Sequence, residues 1–352
     1  MGFVHGLSQA SESRWNDMAK KFKNRVLSSR AYNFVLSRWQ NIRFGGQLRC
    51  IRNRLRKSDG CILFSCIRNE MHRIAFFYDY YRALGVDHFV FVDNGSSDGF
   101  QEWSADKEDV SVWYTNREYK KAGFGVYWCN FLLRKYGTGR LCVSVDPDEF
   151  LVYPHMETRT IKDLGQHLKE IGRPVLGAVM IDAYSDRPIA ETVMASGDDP
   201  FELCPNFDRD GYVQKLNYMS GTFIQGGPRL RALNRETPKE APALNKIPVV
   251  WWEKEYRYQS SAHDMWPWRL NRASTKAGIP LSACLFHFKF VSSLKEKVEE
   301  EMTRRQHYGG SREYKRYKDN LRSTLYLEGV SVKYENPTQL VELGLMNRGE
   351  WF

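Results

Sequence analysis

Val143-Ser144-Val145-Asp146-Pro147-Asp148-Glu149-Phe150 is an apolar, strand-like run that stops abruptly in three carboxylates separated by a single proline. Two aspartates one residue apart at a strand's end can present hard oxygen ligands to Mg2+ or Mn2+, and such ions commonly bridge diphosphates. An isolated Asp-x-Asp is more often an acidic turn in water. The chain carries its own comparison, because Asp208-Arg209-Asp210 repeats the tripeptide with no apolar strand before it. The meaning of Asp146 and Asp148 therefore depends on what leads up to them.

Upstream, the texture from Gly60 onward alternates between strand and helix signals. Cys61-Ile62-Leu63-Phe64-Ser65-Cys66-Ile67 has the continuous apolar character of a buried strand. The pattern predicts a helix over 70–84, strands over 88–92 and 110–114, a helix over 122–136 and a fourth strand over 141–145. Strands alternating with helices imply an α/β fold with a parallel sheet, and ligands of such sheets bind at the carboxyl ends of the strands. Beyond Asp148 the spacing predicts strands over 175–181, 247–252 and 285–291, with residues 185–245 rich in Gly, Pro, Asp and Asn. Long loops there suit a substrate-facing surface.

Polar clusters end three of these strands: Arg68-Asn69-Glu70, then Asp93-Asn94-Gly95-Ser96-Ser97-Asp98-Gly99, then Asp146-Pro147-Asp148-Glu149, at spacings of about 25 and 50 residues. Each is weak alone. Together they have the chemistry of a nucleotide-diphosphate site along one sheet edge: Asp93 can accept the imide N–H of a uracil, Arg68 can lie near base or phosphate, and Asp146 and Asp148 can hold a metal. The ordered triplet, from Ser65 to Glu70, Val92 to Gly99 and Asp146 to Phe150, resembles the motifs of family-2-like glycosyltransferases with the GT-A fold. The resemblance covers roughly residues 60–290. It implies a GT-A-like, Rossmann-type sheet flanked by helices, with Arg68, Asn69 and Asp93 as sugar-nucleotide contacts. It also implies Asp148 as principal ligand of Mn2+ or Mg2+ and Asp146 as ribose or metal contact.

GT-A enzymes often recruit a further metal ligand late in the chain, and His287, within Leu285-Phe286-His287-Phe288, and His263 are the candidates. Either could equally be a core histidine. Gly226-Gly227-Pro228-Arg229-Leu230-Arg231 and Lys246 could place positive charge or backbone N–H groups on a leaving diphosphate. An inverting transfer needs a base for the acceptor hydroxyl, and a carboxylate is expected. The chain lacks the Glu-Asp pair usual in family 2, so the first choices are Asp186 and Asp182, flanking Tyr184, with Asp208 and Asp264 also open. The implied partners are a nucleotide-sugar donor, UDP-linked by preference, and a glycan or glycolipid acceptor, as in bacterial surface polysaccharide synthesis.

Other classes fit less well. A sugar nucleotidyltransferase should carry a glycine-rich, Arg-containing loop after the first strand, where Arg68-Asn69-Glu70 stands instead. Gly123-Phe124-Gly125 lacks the third glycine and the preceding strand of a dinucleotide site. A non-enzymatic nucleic-acid binder could use the 14% aromatic content, but those residues are dispersed through the expected core, and no nucleic-acid partner is expected.

The net charge of +10 is lopsided. Residues 1–58 hold 13 Lys or Arg against Glu12 and Asp17, a net +11 that leaves the remainder near −1. Trp15, Met18, Phe22 and Val26, then Val35, Trp39 and Ile42, keep helical spacing among these cations. Residues 1–58 thus read as a basic amphipathic helical arm that either lies on an anionic membrane surface or docks on the main domain. The expected organisation is this arm, a glycosyltransferase domain over 59–292 divided at about residue 155 into nucleotide-sugar and acceptor halves, and a charged helical extension over 293–352. Seven cysteines without a Cys-x-x-Cys pair read as reduced core thiols. No apolar run approaches the roughly 20 residues that span a bilayer. The expected location is cytoplasmic, peripheral on the inner face of the plasma membrane.

Overall fold

The run Cys61–Ile67 alternates its side chains between two apolar layers, and this alternation builds the molecule. In a computed structural model, which describes residues 29–216, 221–274, 281–294 and 323–351, the strands are β1 (Arg49–Arg52), β2 (Cys61–Ile67), β3 (His88–Asp93), β4 (Val110–Tyr114) and β5 (Leu141–Ser144). They continue as β6 (Glu149–Val152), β7 (Val175–Asp182), β8 (Asn206–Asp208), β9 (Val213–Leu216), β10 (Thr222–Gln225), β11 (Asn245–Trp251), β12 (Arg257–Ser260), β13 (Asp264–Trp266), β14 (Ala283–His287) and β15 (Ser331–Lys333). Leu63, Phe89 and Phe91 face one layer with Phe77, Phe150 and Leu285. Ile62, Phe64, Val90 and Val92 face the other with Trp128 and Trp252. A strand covered on both faces carries no polar alternation, which is why these runs are apolar throughout.

Nine strands form one sheet in the order β1-β4-β3-β2-β5-β11-β7-β14-β6. The parallel sheet expected from the sequence holds for β4-β3-β2-β5 and for the pair β7 and β14. The whole is mixed, because β1, β6 and β11 run the other way. Strand β11 starts where the parallel strands end, so it can only run back through the sheet. The carboxyl ends of β2, β3, β4, β5, β7 and β14 consequently share one edge with the amino ends of β6 and β11.

The helices α1 (Arg30–Gly45), α2 (Met71–Ala83), α3 (Phe100–Ala105), α4 (Val126–Leu132), α5 (Ile161–Glu170), α6 (Pro200–Leu203) and α7 (Pro337–Glu342) cover the sheet and its margins. Helix α2 sits where 70–84 was expected and buries Ile74, Phe77 and Tyr81. The Tyr81 hydroxyl donates to Glu149 O at 2.9 Å and accepts from Leu151 N at 3.0 Å, closing the outer edge of β6. The helix expected over 122–136 is shorter at its start, since Gly123 and Gly125 take left-handed φ of 61° and 79°. It ends in a wide π turn over Leu133–Gly137.

Both termini differ from the expected appendages. From Arg30 onward the basic segment belongs to the body: α1 lies on α4, with Gly45 so close to the Phe131 ring that a Cβ would fall 2.4 Å from it. Strand β1 adds to β4. Residues 1–28, the other half of the expected arm, lie outside the described residues. In the expected helical extension, 295–322 are likewise outside, and 323–351 supply β15, which pairs with β8, and the six-residue α7. Asn336 caps α7 and Pro337 starts it, while Leu340, Met346 and Trp351 enter the main core. Among the described residues no helix is long and apolar enough to cross a membrane.

Candidate active site at the carboxyl edge of the sheet

The five steps from Ser144 to Glu149 carry the chain from mid-sheet to the marginal strand β6, so Asp146 and Asp148 are laid over the ends of the strands between. Register then places Asp182, His287 and Glu149 side by side at the ends of β7, β14 and β6. Asp148 Oδ2 lies 3.5 Å from His287 Nε2 and 3.5 Å from Arg73 Nη1. On the far side of the ring, His287 Nδ1 is 2.7 Å from Asp182 Oδ1, and Asp182 Oδ2 accepts from Arg229 Nε at 2.7 Å. A parallel branch starts at Lys246, whose Nζ is 2.8 Å from Glu149 Oε1 and 3.8 Å from Asp146 Oδ2. Glu149 in turn accepts from the Asp146 N–H at 3.1 Å.

Burial acts against the charged form of each of these groups, and neighbours decide the outcome. Asp182 is buried, yet Arg229 and His287 outweigh its desolvation and hold its carboxyl below the usual range. His287 is raised against its own burial by Asp148 and Asp182, and Lys246 is raised likewise by Glu149 and Asp146. Asp146 keeps 45% side-chain exposure but behaves differently. Desolvation of its inner side and the Glu149 carboxylate push it up, only partly offset by Lys246. Negative charge is thus crowded beside Asp146 and Asp148, and a cation there would relieve it.

The donor set suits a divalent ion. Asp182 can only accept a hydrogen bond when ionised, so Nδ1 of His287 carries the proton and Nε2 is the nitrogen turned toward Asp148. A carboxylate that fixes a ring in this way is the usual support of a metal-binding histidine. Among the described residues no three His, Cys, Asp or Glu side chains already surround one point as ligands. The pair Asp148 and His287, 3.5 Å apart, with Asp146 adjacent, is the set of side chains that could hold such an ion.

Several sequence expectations change. Asp182 does not fit the role of base: both its oxygens are committed and its proton affinity is lowered, so it orients His287. Asp186 is exposed and accepts from the Ser185 hydroxyl at 3.2 Å, four residues past the end of β7. His263 is not turned to the cluster through Nδ1, which lies 2.6 Å from Asn245 O, and burial with Lys246 nearby lowers its pKa to about 3. Arg229, Arg231 and Lys246 each pair with a carboxylate of the protein instead of standing ready for a phosphate. Asp208 takes a two-point contact from Arg231, at 2.6 and 2.9 Å, and is a buried ion-pair partner. The second Asp-x-Asp is therefore structural in its first residue.

Arg68, Asn69 and Asp93 do stand on the same edge, but they hold a loop. Asn69, at φ 53°, accepts from Ser97 N at 2.9 Å, and Arg68 Nη1 donates to Asn94 O at 2.7 Å. Asp93 is fully buried, with Oδ1 accepting from Ser96 N at 2.8 Å and Oδ2 from Gln101. Its expected contact with a base gives way to fixing residues 94–98, because no face of the carboxylate reaches solvent. Glu70 and Glu149 stand in the expected clusters without an assigned role, and Arg73, 3.3 Å from Glu70, was not anticipated. A single arginine in an otherwise apolar helix face, Arg73 beside Ile74 and Phe77, was the available signal.

Neither a protein-family model nor a curated protein matches the chain. Among solved structures, the mannosyltransferase PcManGT from Pyrobaculum calidifontis, in complex with GDP-Man and Mn2+, aligns with 17% identity over 47% of this chain, at a TM-score of 0.24. The chain spans 46% of that protein's length, less than half. A superposition this loose assigns neither fold nor function.

Proposed function

We propose that this protein is a metal-dependent glycosyltransferase of the GT-A kind that moves a sugar from a nucleotide donor, UDP-linked by preference, to a hydroxyl of a glycan or glycolipid. The observation that carries this reading is the line Asp148, His287, Asp182, Arg229 at the carboxyl edge of an α/β sheet, with Asp146 alongside. A divalent cation held by Asp148, His287 and Asp146 would supply the positive charge that a departing nucleoside diphosphate needs. Asp182 and Arg229 keep the His287 ring in its tautomer and orientation. Arg73, reaching Asp148 and Phe288 O at 3.3 Å, fixes that carboxylate to the end of β14. The loop pinned by Asn69, Arg68 and Asp93 forms the neighbouring wall for the nucleoside. Asp186, exposed at the same edge, is the carboxylate offered to the acceptor's proton in an inverting transfer.

The test is release of nucleoside diphosphate from a panel of UDP- and GDP-sugars, with Mn2+ or with EDTA. The expected result is turnover that needs the metal, falls by about 100-fold or more in Asp148→Ala, and falls in Asp186→Ala without loss of stability. Turnover that survives EDTA, or an Asp148→Ala protein as active as wild type, would sink the proposal. The large aromatics Phe64, Phe89, Phe91, Trp128 and Trp252 are buried in the core, where they cannot stack on bases.

A further inference from the structure

Helix α1 is folded onto the body with its polar side inward. Asn33 and Gln40 are buried, and their amide oxygens receive the guanidinium of Arg257, itself buried on β12. Phe44 is the one large apolar side chain of the helix that is buried. The opposite side carries Phe34 at 65%, Val35 at 64%, Trp39 at 49% and Ile42 at 71% exposure, with Tyr32 at 39%. Positions 34, 35, 38, 39 and 42 share one helical face. Water is a poor neighbour for such a stripe. The orientation is specified, because turning the helix to bury the stripe would strand Arg257 without its amide partners and lift Gly45 off the Phe131 ring.

The charge on the same helix identifies what covers the stripe. Arg30, Arg38 and Arg43 are exposed, and the helix contains no Asp or Glu. Between Asp17 and Asp59 the chain has no carboxylate side chain at all. A second copy of the helix would bring like charges together, and so would the preceding segment with Lys20, Lys21, Lys23 and Arg25. An apolar stripe with Trp39 and Tyr32 among its members and arginines beside it matches the boundary of an anionic bilayer, where aromatic rings sit at headgroup depth and Arg meets lipid phosphate. Arg43 already lies over the Trp39 ring, 5.2 Å from its centroid. We propose that the outer face of α1, through Phe34, Val35, Trp39 and Ile42 with Arg38 and Arg43, docks this protein on an anionic lipid surface. The proposal is independent of the reaction assigned to the sheet edge.

The test is flotation of the full chain with phosphatidylcholine vesicles containing or lacking phosphatidylglycerol, for wild type, Phe34→Ser with Ile42→Ser, and Arg38→Glu with Arg43→Glu. Wild type should float only with the anionic vesicles, and each double variant should bind about ten-fold more weakly or worse with its melting temperature unchanged. Should a variant lose its cooperative melt, quenching by brominated acyl chains decides, read as the difference between wild type and Trp39→Phe. Quenching of Trp39 supports the docking, and its absence overturns it. Variants that float like wild type overturn it, as does a lipid-free dimer of wild type that Phe34→Ser with Ile42→Ser dissociates.

Discussion

Asp182 shows how a side chain's partners, and not its place at a strand end, decide what it can do. It is reached from sequence as a carboxylate just past a strong strand, and it stands at the end of β7 beside His287. Its two oxygens, however, face His287 and Arg229 at 2.7 Å each. Nothing in the local sequence reveals those partners, which come from 47 and 105 residues away. Asp182→Ala should destabilise the protein by about 3 kcal/mol or more in chemical denaturation, since it removes the buried carboxylate that both Arg229 Nε and His287 Nδ1 face. Asp182→Asn, closer in shape, should weaken Mn2+ binding by about 10- to 100-fold in an EPR titration by releasing the His287 ring. Unchanged Mn2+ affinity in that variant would remove Asp182 from any supporting role. Asp148 and His287 stand 3.5 Å apart, a proximity between residues 139 positions apart that the sequence shows only as two separate strand-end candidates. Asp93 was misread because a buried loop-fixing carboxylate and a base-binding one look alike in one dimension.

Among the elements, legibility followed burial. Strands β2, β3, β4 and β5 are covered on both faces, so composition alone marks them. Strand β6 was missed because its four residues follow directly on the acidic cluster and look like its continuation. Helix α5 shows a different limit: Thr160 and Asp163 form a reciprocal cap, and Ile161, Leu164 and Leu168 make its buried stripe. Gly165 in its middle looks like a defect by propensity, yet a Cβ there would fall 2.5 Å from Leu141 Cδ2 on β5. Gly165→Ala, which intrinsic propensity would favour by about 1 kcal/mol, should therefore destabilise instead, by about 1 to 2 kcal/mol. A thermal melt in which Gly165→Ala gains stability would show that α5 does not need this close approach.

At the scale of the molecule, two features set behaviour that no single motif announces. One is the convergence of eight strand ends and starts on one edge, which turns scattered polar residues into a connected cluster. The other is a pair of histidines that burial holds neutral, His88 fully and His263 in part. His88 is buried beside Ser111, 2.8 Å from its hydroxyl, and burial lowers its pKa to about 4 despite Asp59. Between about pH 6.5 and 4 the unfolded chain takes up a proton that the folded protein refuses, so stability falls as the pH drops through that window, by up to about 3 kcal/mol. His263, lowered to about 3, acts in the same direction. His88→Gln should flatten the acid side of a stability-against-pH curve, and an unaltered slope would contradict the assignment. The central claim, that Asp148 and its neighbours hold the metal and diphosphate of a nucleotide sugar, is tested most directly by thermal shift. Wild type and Asp148→Ala are melted with UDP- and GDP-sugars, each with and without Mn2+. Stabilisation of wild type by at least one nucleotide sugar only when Mn2+ is present, and absent in Asp148→Ala, is the expected result. No shift with any donor, or an equal shift in the variant, would contradict it.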